Sequence, residues 1–218
     1  LEKKAKEGVE VRLLMDALGC RQITKRRIQP LMDAGVKCAF FFRPKMKIFL
    51  MRLNYRNHRK LVVIDNSIGY IGGFNIAREY LGLKEKFGYW RDTHICIEGA
   101  AVTSLAVRFA LDWNYAARDN IFLEDHLFEL PTYIRNGRDP VQIISSGPDS
   151  ELQSIRDNYL RLIHKAKKSI YIQTPYFIPD ESIQTALLMA TMSGVEVNLM
   201  FPCKPDHPFV YWATLSYV

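Results

Sequence analysis

The chain lacks the features that mark several classes of protein. No run approaches the roughly 20 consecutive apolar residues that a transmembrane helix needs, and no signal peptide is recognisable. Four cysteines stand far apart, with no Cys-x-x-Cys pair. This spacing argues against a zinc site or a disulfide framework, and it predicts reduced, buried thiols on the cytosolic side. The cysteines are Cys20, Cys38, Cys96 and Cys203.

Acidic residues are missing from one long stretch. No Asp or Glu occurs between Ala34 and Ile64, whereas eight Lys and Arg residues do. The whole chain of 218 residues carries a formal net charge of +7, which favours an anionic partner such as a nucleic acid, a phospholipid or a phosphate ester. The basic run is either a solvated face or an entrance that attracts anions.

Hydrophobic residues make up 48% of the chain, enough for a core. The periodicity predicts helices over 1–7, 21–34, 75–81, 100–114, 150–166 and 180–193. It predicts strands over 9–15, 36–42, the motif stretch 58–64, 67–71, 93–98, 141–145, 169–174 and 195–201. Ser150 is expected to begin its helix with a capping box. Short connections between alternating strands and helices favour parallel pairing, and hence an α/β sandwich.

The most informative stretch is Asn-His-Arg-Lys-Leu-Val-Val-Ile-Asp at 57–65. The β-branched residues favour a strand, on which alternate side chains share a face, so His58 and Lys60 are expected to point the same way. A histidine can act as nucleophile or proton carrier near neutral pH. A neighbouring lysine can offset negative charge on a phosphoryl group. The pair is the minimum that phosphoryl transfer without a metal needs, and a basic β-hairpin with no chemistry is the alternative interpretation.

Asp65 has a different expected role. It follows His58 by seven residues, which on a straight strand separates the two by on the order of 20 Å. We expect Asp65 to hold the turn at 65–67 and not to touch the imidazole.

Three residues after the next strand are candidates for substrate binding. Gly72 and Gly73 allow the backbone to approach a ligand closely. Asn75 could donate a hydrogen bond to a phosphate oxygen.

Together these residues resemble the HKD signature of the phospholipase D superfamily. The flanking Asn-Tyr-Arg-Asn at 54–57 and Gly-Gly-Phe-Asn-Ile at 72–76 are most similar to bacterial cardiolipin synthases. Many superfamily members have Gly-Ser where this chain has Gly72 and Gly73. The resemblance implies a phospholipase D-like α/β sandwich of two related halves, with mixed, largely parallel sheets flanked by helices.

The resemblance also implies an activity. Two phosphatidylglycerol molecules would give cardiolipin and glycerol through a phosphohistidine, with no metal or nucleotide cofactor. One motif histidine would attack the phosphodiester, and the other would protonate the leaving glycerol. Lys60 would hold the phosphoryl oxygens.

A carboxylate that fixes the tautomer of His58 is also expected. In the superfamily an acidic residue about thirty positions after the motif histidine has this role. Asp92, within Trp-Arg-Asp-Thr-His at 90–94, resembles it. A surface ion pair with Arg91 is the alternative for Asp92. His94 is expected to be structural.

An internal repeat supports two halves. Gly-Val-Glu-Val-Arg-Leu-Leu-Met at 8–15 matches Gly-Val-Glu-Val-Asn-Leu-Met-Phe at 194–201. The same offset places a second motif histidine near position 244, beyond this chain. We predict a first half with the motif at 1–135, lacking its N-terminal strand, and the start of a second half at 136–218, lacking its motif.

Two other functions stay open. A nuclease of the same superfamily would use the basic run on nucleic acid, although none is expected as a partner on the cardiolipin synthase interpretation. The second alternative is a non-catalytic module that binds lipid or nucleic acid. The isolated chain is expected to be inactive.

The resemblance also implies where the parent protein lies and what it binds. It would lie at the cytoplasmic face of the bacterial membrane, with transmembrane helices upstream. Phosphatidylglycerol would be its substrate, and the second HKD half would come from the same chain.

Overall fold

The computed structural model describes residues 1–42, 56–124, 128–129, 137, 139–147, 150–204 and 208–218. The described helices are α1 (Glu2–Lys6), α2 (Lys25–Asp33), α3 (Val102–Ala117), α4 (Ser154–Lys165), α5 (Glu181–Met192) and α6 (Pro208–Leu215). The described strands are β1 (Arg12–Asp16), β2 (Lys37–Phe41), β3 (Lys60–Ile64), β4 (Ile68–Gly72), β5 (His94–Glu98), β6 (Ser169–Gln173) and β7 (Glu196–Met200). The fold is mixed α/β, as predicted, with small parallel and antiparallel sheets flanked by helices.

The chain divides into two compact units, residues 1–76 with 92–143 and residues 77–91 with 144–218. In the first unit β1 and β2 pair in parallel, with α2 between them in sequence. Gly8 and Gly35 take positive φ angles of 89° and 97°, which lets the chain turn from a helix into each strand.

The other described strands of this unit form a three-stranded antiparallel sheet of order β3-β4-β5. The turn between β3 and β4 is residues 65–67, as predicted, and the amide of Ser67 donates to the carbonyl of Ile64 at 3.1 Å. Asp65 and Asn66 have φ of 48° and 47°, a left-handed conformation that Asp and Asn tolerate. Asn66 is buried, and its amide nitrogen donates to the carbonyl of Glu129 at 2.8 Å.

Helix α3 holds the strands of the first unit together, because it packs against β2, β3 and β4. Leu105 and Trp113 of α3 are buried. Gly69 in β4 lies directly under Leu105, so close that a Cβ there would come within 2.6 Å of the leucine Cδ1.

The second unit contains a parallel pair, β6 and β7, connected through α5, which confirms the predicted pairing. Asp180 begins α5 as predicted, because its side chain accepts from the amide of Ile183 at 2.9 Å. Ile163 of α4 and Leu187 of α5 are buried in the core of this unit.

Several local predictions are wrong. Residues 75–81 form turns instead of a helix, since the chain reverses at Gly82 (φ 67°) and Tyr80 packs on Trp90 with ring centroids 5.3 Å apart. Residues 141–145 are not a strand, because no described strand pairs with them. The hydroxyl of Ser150 accepts from the amide of Leu152 at 3.1 Å, four residues before α4 begins, so there is no capping box.

The cysteines are free, but they are not all buried. Cys20 and Cys38 are half-buried, whereas Cys96 and Cys203 are exposed. Cys96 lies on a sheet face that solvent reaches, since its cross-strand neighbour Tyr70 is also exposed.

Replacing Gly69 with Ala should destabilise the protein by about 1–3 kcal/mol, because the added methyl group overpacks the contact with Leu105. Urea unfolding of the two purified proteins measures the change. Gly137→Ala is the control, since a Cβ there meets no described atom within 4 Å. Equal unfolding midpoints for wild type and Gly69→Ala would contradict the close packing of α3 on β4.

Candidate active site

His58 lies in an extended segment just before β3, which begins at Lys60. The prediction that both residues occupy one strand is therefore wrong for His58. The two are nevertheless in contact, because the ammonium group of Lys60 donates to the carbonyl of His58 at 2.7 Å. The His58 side chain is exposed and Lys60 is half-buried.

Asp16, at the end of β1, holds the chain on one side of His58. Its Oδ2 accepts from the backbone amide of Asn57 at 3.1 Å. Its Oδ1 accepts from the guanidinium of Arg56 at 3.0 and 3.1 Å, and from the amide of Gly19 at 2.6 Å. Sequence reasoning missed Asp16; the available signal was an acid at the carboxyl end of a parallel strand, where α/β folds place their sites.

Asp112, on α3, holds the same segment from another direction. It is 4% exposed. Its carboxylate accepts from the side-chain amide of Asn57 at 3.0 Å, from Arg59 at 3.0 and 3.2 Å, and from Arg108 at 2.5 Å. The side-chain oxygen of Asn57 in turn accepts a hydrogen bond from the backbone amide of Arg59 at 2.9 Å. Asp112 was also missed, although an acid between Leu111 and Trp113 in an apolar helix was a visible signal.

These surroundings set the charge of the imidazole. Partial burial lowers the pKa of His58 below its ordinary value, and the cations of Lys60 and Arg56 lower it further, while Asp16 raises it. Burial also lowers the pKa of Lys60, while the negative charge of Asp92 raises it. A depressed histidine pKa favours the neutral ring at pH 7, the form that can attack phosphorus or accept a proton.

The glycine pair makes room for the chain that carries Asp92. A Cβ on Gly73 would overlap Oδ1 of Asp92, and one on Gly72 would overlap the carbonyl of Thr93. The amide of Gly73 donates to that carbonyl at 3.0 Å, and the amide of Thr93 donates to Asp92 Oδ1 at 2.7 Å. The absence of a side chain at 73 thus lets Asp92 lie against β4.

Asp92 and His58, both among the described residues, form no hydrogen bond with each other. The charge of Asp92 acts on Lys60, and the acid whose charge acts on His58 is Asp16. Direct fixing of the imidazole by Asp92 therefore stays a prediction.

The remaining candidates lie apart from one another. Asp65 is exposed in its turn, at the end of the hairpin opposite Lys60, whose register partner is Gly72. This placement agrees with a role in the turn. Asn75 is exposed, and its side-chain oxygen accepts from the next amide, of Ile76, at 3.1 Å. His94 faces Gly72 across the sheet and packs edge-on against Phe74 at 6.4 Å.

The basic run is partly neutralised by acids from elsewhere in the chain. Lys37 pairs with Glu10 at 2.7 Å, while Arg56 and Arg59 pair with Asp16 and Asp112 as above. These three cations of the run are thus each paired with a carboxylate. Arg43, Lys45, Lys47 and Arg52 lie outside the described residues.

Within the described parts of the chain, no helix is both long and apolar enough to cross a membrane. No three His, Cys, Asp or Glu side chains of the same parts are grouped so that they could hold a metal ion.

The motif and its supports agree with comparisons to known proteins. Residues 1–113 and 159–218 match the family described as cardiolipin synthase, PLD-like domain. The chain belongs to this family.

Individual relatives agree. The chain is 53% identical over 220 residues to the major cardiolipin synthase ClsA of Bacillus subtilis, covering 100% of this chain and 45% of the relative. It is 52% identical over 217 residues to cardiolipin synthases of Oceanobacillus iheyensis and Staphylococcus aureus, covering 100% and 99% of this chain and 44% of each relative. The chain thus spans about half the length of these relatives.

In a proton NMR titration of the histidine rings, His58 should titrate below the ordinary value of 6.5. Asp16→Asn should lower its pKa further, because it removes the negative charge that stabilises the imidazolium. Asp139→Asn, at an exposed position, is the control. A wild-type pKa at or above 6.5, or an unchanged value in Asp16→Asn, would contradict this account of the site.

Proposed function

We propose that the full protein is a phosphatidyltransferase that makes cardiolipin and glycerol from two phosphatidylglycerol molecules. The observation that carries the proposal is His58 beside Lys60, in the HKD signature of a chain that is 53% identical to a cardiolipin synthase.

The reaction needs one nucleophile and one group that first donates and then accepts a proton. A motif histidine attacks phosphorus, so that an N–P bond forms and the bond to the glycerol oxygen breaks, while the second motif histidine protonates the departing glycerol. The second histidine then takes the proton from a hydroxyl of the next phosphatidylglycerol. That oxygen attacks phosphorus, and the N–P bond breaks. His58 supplies one of the two imidazoles, and the second comes from the other HKD half of the full protein.

Lys60 and Asp92 are proposed to stabilise the negative charge that develops on the phosphoryl group. The ammonium of Lys60 offsets the charge on the phosphoryl oxygens in the transition state. Asp92 favours the charged form of that lysine and supports the imidazole. Gly72 and Gly73 admit Asp92, and Asn75 is proposed to contact the substrate phosphate.

The proposed partner is an anionic phospholipid surface, at the cytoplasmic face of the bacterial membrane. Exposed apolar side chains of residues 77–91 support this partner, since Leu81 is 64% and Tyr89 is 89% exposed. Apolar and aromatic side chains of this kind bind the interface between lipid headgroups and acyl chains.

His58→Ala in the full-length protein should abolish cardiolipin formation, since the imidazole takes part in bond making or proton transfer. Thin-layer chromatography of labelled phosphatidylglycerol incubated with the enzyme measures the product. His164→Ala, on the exposed side of α4, should keep activity. Cardiolipin formed by His58→Ala would refute the assignment, and vesicle binding without turnover by the wild type would favour a binding module instead.

Asp92→Asn should lower the rate on the order of 10²-fold, because the site loses the carboxylate beside Lys60. The isosteric amide keeps the fit against Gly73. Asp139→Asn, which neutralises an exposed acid, should change the rate by less than about 2-fold. Initial rates at saturating phosphatidylglycerol are the measurement. Small and equal effects of the two substitutions would remove Asp92 from the site.

A further inference from the structure

We infer that Asp16 and Asp112 are positioning residues, which act together through Asn57 to fix the place of the His58 imidazole. This inference deepens the proposed function and rests on it.

Both neighbours of His58 are bound to carboxylates from other parts of the fold. Asn57 is held twice, by its backbone amide on Asp16 at 3.1 Å and by its side-chain amide on Asp112 at 3.0 Å. Arg59 is held by its guanidinium on Asp112 and by its amide on the side-chain oxygen of Asn57 at 2.9 Å. The peptide of His58 is thus anchored immediately before and immediately after the histidine.

No strand in the described part of the chain provides this anchoring instead. The ladder of β3 begins at Lys60, whose partner is Gly72, so His58 has no register partner in the described sheet. The two carboxylates therefore do for residues 57–59 what ladder hydrogen bonds do for 60–64.

The anchors are themselves well fixed. Asp112 is 4% exposed and is bound by two guanidinium groups. The side chain of Asp16 is 12% exposed and is bound by Arg56 and two backbone amides. Asp16 is the last residue of strand β1, and Asp112 lies on α3. The position of His58 is therefore fixed by two separate elements of the same unit.

This arrangement matters for rate more than for substrate affinity. In-line attack on phosphorus needs the attacking nitrogen within about 3–3.5 Å, and a misplacement of about 1 Å can cost 10²-fold in rate. Neither carboxylate hydrogen-bonds the imidazole in the described structure, so each acts through residues 57 and 59. The negative charge of Asp16 also raises the pKa of His58, against the effect of Arg56 and Lys60.

The test compares Asp112→Asn, Asp16→Ala and Asp16→Asn in the full-length protein. We expect kcat for cardiolipin formation to fall on the order of 10²-fold in Asp112→Asn and Asp16→Ala, with KM within about 3-fold of wild type. Asp16→Asn should recover part of the rate lost in Asp16→Ala, because its amide oxygen can still accept from Asn57. The ring signal of His58 in NMR should move in all three variants.

The stability control is Leu105→Ala, which reduces packing of α3 without touching either carboxylate. The inference is overturned if kcat in Asp112→Asn and Asp16→Ala falls no further than in a Leu105→Ala protein of equal or lower melting temperature, with the His58 signal unmoved. If Asp112→Asn does not fold, the comparison of Asp16→Ala with Asp16→Asn decides.

Failure of the proposed function gives a different result. A wild type that makes no cardiolipin refutes the function, whereas the NMR signal of His58 still reports whether the carboxylates hold the histidine.

Discussion

A buried carboxylate between two guanidinium groups is the interaction on which the first unit depends. Burying Asp112 on α3 is costly unless its charge is met, and Arg59 and Arg108 meet it. Removing one member of such a group typically costs about 3–5 kcal/mol, since it leaves a charge buried without its partner. Because Arg59 belongs to the motif and Arg108 to the helix, the same interaction that satisfies the core also ties the motif to α3.

The chemistry of the site follows from an uneven balance of charge around this anchor. Two cations, Arg56 and Lys60, lower the pKa of His58, and one acid, Asp16, opposes them. The second acid, Asp92, acts on Lys60, and the lack of a Cβ on Gly73 leaves room for its carboxylate. A neutral imidazole and a lysine beside it follow from this placement, which suits attack on a phosphodiester.

The sequence predicted what depends on local pattern. The periodicity of apolar residues predicted most elements of both units, and the short connections predicted the parallel pairs. The turn at Asp65 was also predictable, because separation along an extended chain is simple geometry. The predicted division at residue 135 stays a prediction.

What could not be predicted depends on contacts between distant residues. Asp16 lies 41 residues before Asn57 and Asp112 lies 55 after it, and no local pattern links such positions. The predicted strand at His58 was wrong because Asp16 and Asp112 hold that peptide, and the hydrogen bonds between β3 and β4 do not. The helix at 75–81 was wrong because packing of Tyr80 on Trp90 outweighed helix propensity.

The wide separation of the two anchors has a consequence for synthesis on the ribosome. A nascent chain that has emerged only as far as β4 already carries the complete signature and Asp16, yet it lacks the helix that supplies Asp112. Arg59 is then a cation without its buried counter-charge, and Asn57 has one of its two attachments. Such long-range pairings form late, because closure of the intervening loop comes before any gain from the contact. The reactive histidine of this chain is therefore set in place only after the final turns of α3 have left the exit tunnel, and truncations upstream of that point keep the motif while losing its geometry.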